Sequence, residues 1–312
     1  MARFGVPASG PMDRIAHAAA QAALGMPVAA TAIEVSMGGL ELACEQGAVT
    51  CCVAGGGFQV VHAGAVLESW CVRTLREGDV LSIRAGAWGC WTYLAFTGEL
   101  ACGTWAGRAA THSTSGLGGG MLATGASIAV RNAQVAEDRE GPLPVPDLAR
   151  PRGVARVVFG SQTDLFEADS QAAFRRDSFV VTPAFDRMGM RLSGPNLVLR
   201  SALSIPSEPI VRGAVQVAGD GVASLLMSDH QTTGGYPKIA NILSSDVDGV
   251  SQLRAGDRVS FAVVDARESI RLVRLEAQAR QRYLGQLGEP RATLLDRLMR
   301  ENLVGGVVSA GG

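Results

Sequence analysis

Residues 228–239, Ser-Asp-His-Gln-Thr-Thr-Gly-Gly-Tyr-Pro-Lys-Ile, crowd a carboxylate, an imidazole, an amide, hydroxyls, a phenol and an ammonium around a Gly-Gly hinge. Polar groups at that density cost stability when buried unless each finds a partner. The segment is therefore either a hydrogen-bonded surface hairpin or a site that holds a polar ligand. Lys238 sharpens the second reading. It is the sole lysine of the chain, every other basic residue being arginine. An ammonium is a compact point charge that can lose its proton when desolvated, as a base or proton carrier must, and a guanidinium cannot. A second segment, Asp186-Arg187-Met188-Gly189-Met190-Arg191-Leu192, adds fixed cations and a carboxylate.

Other familiar chemistries are missing. The chain has no G-x-x-x-x-G-K-[ST] phosphate cradle, no G-x-S-x-G elbow and no H-E-x-x-H helix. His17, His62, His112 and His230 are scattered, so no metal site is expected. The glycine runs 55–57 and 118–120 fit turns better than anion cradles. Cys44, Cys51, Cys52, Cys71, Cys90 and Cys102 contain no C-x-x-C pair and several lie in apolar, β-like runs, which predicts buried thiols.

Positioning such groups needs a folded frame, and the composition supplies one. At 312 residues, with 47% hydrophobic and 18% charged residues, the chain is globular and long enough for two domains at roughly 150 residues each. A net charge of −1 excludes a domain-wide footprint for nucleic acid or an anionic membrane. The uncharged stretches 15–33 and 46–67 hold glycines, a histidine and, in the first, a proline, so neither reads as a membrane span. Nothing at the amino end reads as a signal peptide, and the expected location is cytoplasmic.

Asp13 precedes an alanine-rich amphipathic run that stops at Gly25 and Pro27, which predicts one capped helix. From there short β-like runs alternate with glycine or acidic turns, at 32–35, 40–43, 48–53, 58–62, 80–83 and 90–96. They resume at 155–159, 178–181, 196–199, 214–217 and 223–227, after a polar, proline-rich stretch at 137–153. That texture predicts a sandwich or barrel, not alternating β-α units. Arg76-Glu77-Gly78-Asp79-Val80 echoes Arg254-Ala255-Gly256-Asp257-Arg258, a hint of duplication. Residues 267–286 and 292–302 read as an outer, solvated helix pair, and 305–312 as a frayed end.

The run Asp229–Ile239, D-H-Q-T-T-G-G-Y-P-K-I, resembles the D-R-Q-T-T-G-G-Y-P-K-I signature of the biotin-dependent carboxyltransferase family, which includes allophanate hydrolase subunit 2, the C subunit of 5-oxoprolinase and the carboxyltransferase region of urea amidolyase. Further matches are residues 5–13 (G-V-P-A-S-G-P-M-D), Ile33-Glu34-Val35, residues 38–42, residues 186–192, Ser207-Glu208 and residues 213–217. The resemblance spans residues 4 to 264.

It implies a mainly β fold of two cyclophilin-like β-barrel subdomains with a few peripheral helices. The expected division is 1–140 for the first, 141–153 as linker, 154–265 for the second with the signature, and 266–312 as a C-terminal helical extension. It implies one component of an amide-processing complex, first of all the C subunit of an ATP-dependent 5-oxoprolinase. A biotin-dependent carboxyltransferase or allophanate hydrolase subunit 2-type protein is the alternative, and a second alternative is a non-catalytic regulatory binding protein. ATP would belong to the complex, or biotin to a partner. Expected partners are a companion B subunit, allophanate hydrolase subunit 1-like, and a lactam-binding A subunit, with a small amide as substrate. Lys238, Asp229 and Tyr236 are the expected catalytic groups. Arg187, Gln231, Thr232, Thr233, Gly234, Gly235, Glu208 and Gln216 are the expected substrate contacts, suited to holding an oxygen on which negative charge develops. The signature should lie on the wall of a cleft between the subdomains.

This chain departs from the pattern in three places. His230 stands where the signature has arginine, the G-S-R-S-T turn is only loosely matched around residues 106–114, and family members begin earlier, with an additional first strand. Without that strand an exposed barrel edge is expected.

Overall fold

In the computed structural model, residues 4–200 and 205–289 are described. The first unit is built on two antiparallel sheets. One has the order Ile33–Ser36, Trp91–Phe96, Ala48–Ala54, Cys71–Arg76, Gly141–Pro142; the other has the order Leu40–Ala43, Val80–Arg84, Gln59–His62, Ala65–Glu68. Strand Ala48–Ala54 explains why its sequence is apolar throughout. Cys51 and Val53 point into the core between the sheets, with Phe58, Val60, Leu75, Ile83 and Leu94, while Cys52 and Ala54 point to the opposite face. There helix α1 (Arg14–Ala23) lays Ala16, Ala19, Ala20 and Ala23 against Cys52, Ala54 and Ala95. Small residues on both sides let the helix come close. Gly55, at φ +119°, marks the limit: a Cβ there would stand 3.1 Å from Ala16 Cβ and 2.8 Å from the Trp91 carbonyl oxygen. Among the described residues, strand Ile33–Ser36 forms one edge of its sheet, pairing with Trp91–Phe96 alone.

The second unit is a closed seven-stranded barrel in the order Val154–Phe159, Lys238–Ile242, Ala214–Val217, Ala223–Leu226, Gly189–Ser193, Ser178–Phe185, Arg258–Val263. All its pairs are antiparallel except the closing one, Val154–Phe159 with Arg258–Val263. Helix α2 (Ala168–Arg176) seals one end, with Phe174 stacked on Phe261 at 4.5 Å between ring centroids. The run 196–199, expected as a strand, is not one: only Leu199 bridges, to Phe166. Gly194 and Pro195 break the chain before it, and Leu197 and Val198 instead use their backbone groups on Gly221 and Glu167.

The sequence echo has a structural counterpart. In each unit the turn aspartate accepts from a backbone N–H three residues back, Asp79 from Arg76 and Asp257 from Arg254, both at 2.8 Å. Gly78 and Gly256 take φ of +86° and +95° in these turns, and each turn feeds a strand.

The N-terminal segment clasps the units together. Met12 is fully buried and shares the barrel's core cluster with Cys90 and Trp91 of the first unit. The Met12 carbonyl accepts from Ser251 Oγ at 2.8 Å and Arg212 Nη2 at 2.5 Å. Asp13 caps α1 by accepting from the Ile15 and Ala16 N–H groups, and its other oxygen accepts from Gln252 Nε2 at 2.8 Å. Gln252 itself reaches both backbone groups of Trp91 and the N–H of Cys90. Helix α3 (Val247–Ser251) holds Asp248 under Arg14 and Arg212. Helix α4 (Ala266–Gly288) then spans both units, Glu276 pairing with Arg152 and Arg156 and Tyr283 Oη donating to the Pro144 carbonyl at 2.8 Å. The second expected helix, 292–302, and the end 305–312 lie outside the described residues. Among those described, no helix is long and apolar enough to cross a membrane.

The stretch 137–153 is ordered: Gly141 and Pro142 extend a sheet and the Leu143 N–H bonds the Trp70 carbonyl at 2.6 Å. Of the cysteines, Cys51, Cys52, Cys71 and Cys90 are buried, while Cys44 is half-buried and Cys102 exposed.

Candidate functional site

The signature is anchored at both ends and exposed between them. At its start, Asp229 is 1% exposed, with both carboxylate oxygens engaged. Arg187, in the tight turn between strands Ser178–Phe185 and Gly189–Ser193, grips it through Nε and Nη2 at 2.9 Å each. The Ser113 N–H, from a long loop of the first unit, adds a bond of 3.0 Å. Burial alone would raise the Asp229 carboxyl, but the Arg187 bonds and charge, with Ser113, outweigh it and hold the group below the usual carboxylate range. Asp229 is thus held as a counter-ion by Arg187 and the Ser113 N–H.

Arg187 has a second carboxylate, Glu34, and donates to the Gly10 carbonyl at 2.7 Å. Glu34 Oε2 in turn accepts from Tyr93 Oη at 2.8 Å and the Met12 N–H at 2.9 Å. Burial first, then Glu34 and Asp13, push the Tyr93 hydroxyl well above its ordinary pKa, so it stays a donor. Arg187, expected as a substrate contact, thus engages two carboxylates and ties the signature to the N-terminal segment and to the first unit.

His230, in the arginine's place, is 8% exposed and turns Nδ1 to the Gln231 carbonyl at 2.7 Å. A carbonyl only accepts, so Nδ1 carries the proton. Gln231, Thr233 and Tyr236 are exposed and Thr232 half-buried, a row of donors at the surface. Thr233–Gly234 pairs with Glu208–Pro209, and the Ile210 N–H bonds the Thr232 carbonyl at 3.0 Å. Gly234 keeps space for the Ile210 side chain and two amides: a Cβ there would lie 2.6 Å from Ile210 Cδ1, 3.2 Å from Gln216 Nε2 and 3.4 Å from Gln231 Nε2. Gln216 is buried and donates to the Tyr236 carbonyl at 3.3 Å. Gly235 packs under the Ile205 carbonyl oxygen, 2.9 Å from where a Cβ would stand.

At the other end Lys238 opens strand Lys238–Ile242. Its side chain is 11% exposed and Nζ is buried with no hydrogen-bond partner among the described residues. The carboxylate paired with it, Glu208 Oε2, lies 3.8 Å away, outside hydrogen-bonding range. A buried charge left without hydrogen bonds is costly. Gln162 bonds both the Lys238 N–H, at 2.9 Å, and Glu208.

Of the residues expected from the sequence, the structure brings Arg187 together with Asp229, and Glu208, Gln216 and Gln231 together with the glycine hinge and Lys238. Glu34, Tyr93, Ser113 and Gln162 join them without having been expected there. Of these only Glu34 had a signal, as part of the matched Ile33-Glu34-Val35. Among the described residues no cluster of histidine, cysteine and carboxylates could hold a metal ion.

A closed barrel and a two-sheet β unit, clasped through one N-terminal segment and meeting at a polar loop, define a two-unit mainly β domain. The chain belongs to the carboxyltransferase domain family, subdomain A and B, whose model matches residues 4–263. It is 30% identical over 275 residues to the 5-oxoprolinase C subunit of Haemophilus influenzae, with 87% of each chain covered. To the 5-oxoprolinase C subunit of Escherichia coli it is 26% identical over 294 residues, covering 91% of this chain and 90% of the relative. In fold it matches the crystal structure of Kluyveromyces lactis urea carboxylase with a TM-score of 0.79 at 21% identity, over 91% of this chain and 27% of that one.

Proposed function

We propose that this chain is the C subunit of an ATP-dependent 5-oxoprolinase, acting with companion subunits in the hydrolytic opening of 5-oxoproline to glutamate. The observation that carries this reading is the buried ammonium of Lys238, without a hydrogen-bond partner among the described residues, at the end of a loop of exposed donors. Similarity to two bacterial proteins named as the C subunit of 5-oxoprolinase, over most of their length, supports the choice of substrate.

Opening a lactam requires negative charge to develop on the amide oxygen while the C–N bond weakens. Fixed donors aimed at that oxygen lower the barrier because they need no reorganisation when charge appears. Gln231, Thr232, Thr233 and Tyr236 supply neutral donors, and Lys238 the cation. ATP is the complex's co-substrate, and a companion B subunit and a lactam-binding A subunit are its expected partners; the chain's own residues orient the amide and stabilise its oxygen.

Carboxyl transfer from biotin on a partner to urea or a related amide is the second reading, supported by the fold shared with a urea carboxylase. Purification with the companion subunits separates the two. ATP turnover stimulated by 5-oxoproline, and not by urea with biotin, is the expected result; the reverse pattern overturns the proposal.

A further inference from the structure

The strand that begins at Lys238 is bolted down by the turn 160–163. Thr163 Oγ1 donates to the Ile239 carbonyl at 2.8 Å and accepts from the Gly160 N–H at 3.1 Å. Gln162 sits in that turn, 7% exposed, and uses both ends of its amide. Its Oε1 accepts the Lys238 backbone N–H at 2.9 Å. A backbone N–H can only donate, so the orientation of the amide is fixed and Nε2 must face the other way. There it donates to Glu208 Oε2, the same oxygen that lies 3.8 Å from Lys238 Nζ.

That arrangement runs against ordinary electrostatics. A buried ammonium without hydrogen bonds is costly, and a carboxylate on a flexible stem is the natural remedy. The Glu208 side chain is 52% exposed, so solvent-side crowding does not hold it back. Closing the remaining gap of about 1 Å to normal hydrogen-bond length would complete the pair. The bond from Gln162 stands in the way.

We propose that Gln162 is a positioning residue: it tethers Glu208 short of hydrogen-bonding contact with Lys238, so that the ammonium stays free for an anionic oxygen of the substrate. The proposal rests on the reading of Lys238 given above and extends it to a residue outside the signature. A purely structural Gln162 would close the turn onto the Lys238 N–H, and its bond to Glu208 would be incidental.

Lys238 is the sole lysine, so 15N-lysine labelling of the full-length chain gives a single side-chain ammonium resonance. The resonance is followed in the wild type, Gln162→Met, Glu208→Gln and the double variant, with a melting curve for each. Met keeps the length of the side chain and has no donor for Glu208. In the wild-type background Glu208→Gln should leave the resonance in place, because the two groups are not hydrogen-bonded. In Gln162→Met the carboxylate closes on the ammonium, the resonance shifts and its exchange with water slows, and adding Glu208→Gln reverses both. Equal effects of Glu208→Gln in the two backgrounds would overturn the proposal. Should Gln162→Met fail to fold, Gln162→Glu keeps the acceptor for the Lys238 N–H while repelling Glu208. The swap Gln162→Glu with Glu208→Gln then rebuilds the tether with donor and acceptor exchanged, and the wild-type resonance should return; no return overturns the proposal. The readout is a resonance, not turnover, so an inactive complex would count against the 5-oxoprolinase reading alone.

Discussion

Arg187 holds Asp229 in a two-pronged grip, Nε and Nη2 each 2.9 Å from a different carboxylate oxygen, while its remaining Nη1 reaches Glu34 of the other unit. One guanidinium therefore joins the signature to the first unit, and its planar fork is what makes this possible. Arg187→Met leaves the buried Asp229 and the half-buried Glu34 without this cation, and breaking a buried pair typically costs about 3–5 kcal/mol. The expected outcome is a large fall in the denaturation midpoint, only weakly relieved in Arg187→Lys, since lysine cannot serve both carboxylates at once. A midpoint unchanged in Arg187→Met would mean the network contributes nothing to stability.

Asp229, held below its ordinary pKa by that grip, contributes stability above the unfolded-chain value of about 3.9 and loses it as pH falls through the lower folded value. Acid titration of the wild type should show this loss below about pH 4. Asp229→Asn should be less stable at neutral pH and show a shallower decline in acid. If its acid profile simply parallels the wild type, the ion pair is not the source of the acid sensitivity.

Asp13 behaves in the opposite sense. Burial, and then the nearby Asp248, push its carboxyl up to about 7, against the bonds from Ala16, Gln252 and Ile15 that favour the charged form. A raised carboxyl favours the folded state while protonated, so this contribution is full below about pH 4 and drains away as pH rises through 7. Denaturant midpoints of the wild type should carry that downward slope between about pH 4.5 and 7.5. In Asp13→Asn the cap acceptor remains, the bond from Gln252 is lost at a cost of about 1 kcal/mol, and the slope should flatten. A slope that persists in the variant would assign it to another group.

The loop that delivers the Ser113 N–H to Asp229 depends on Gly118, whose φ is +108° and whose Cβ would stand 2.1 Å from the Ala110 carbonyl oxygen. Gly118→Ala should displace the loop, with strain of about 1–3 kcal/mol. Its effect should appear as loss of the Ser113 amide's protection from hydrogen exchange, with barrel amides such as that of Val215 unchanged. Retained protection at Ser113 would show that the loop tolerates the methyl group.

Much of the frame was legible because local rules decide it. Asp13 and Gly25 bracket α1, and the Gly-Asp turns announce their strands wherever they occur. The run 196–199 misled because apolar, β-branched content says nothing of partners, and this segment bridges between the barrel and α2 rather than joining a ladder. The signature showed where polar chemistry gathers, but not which groups are spent on each other. Arg187 and Glu34 are 153 residues apart, and Gln162 and Glu208 46 apart, so only the closed fold brings them together. Met12 is a similar case: a lone methionine before a helix cap gives no sign that it fills the core of the other unit.

The central claim is that the Lys238 ammonium is kept unpaired to meet developing negative charge. Its most direct test is the turnover of Lys238→Arg and Lys238→Met in the complex reconstituted with the companion subunits, at saturating 5-oxoproline and ATP, with a melting curve for each variant. Loss of one such electrostatic contact costs roughly 10²–10³ in rate. The account predicts a fall of that order in kcat for Lys238→Met, and one approaching it for Lys238→Arg, with melting temperatures near that of the wild type. Rates within about threefold of the wild type in both folded variants, far short of the loss such a contact carries, would contradict it.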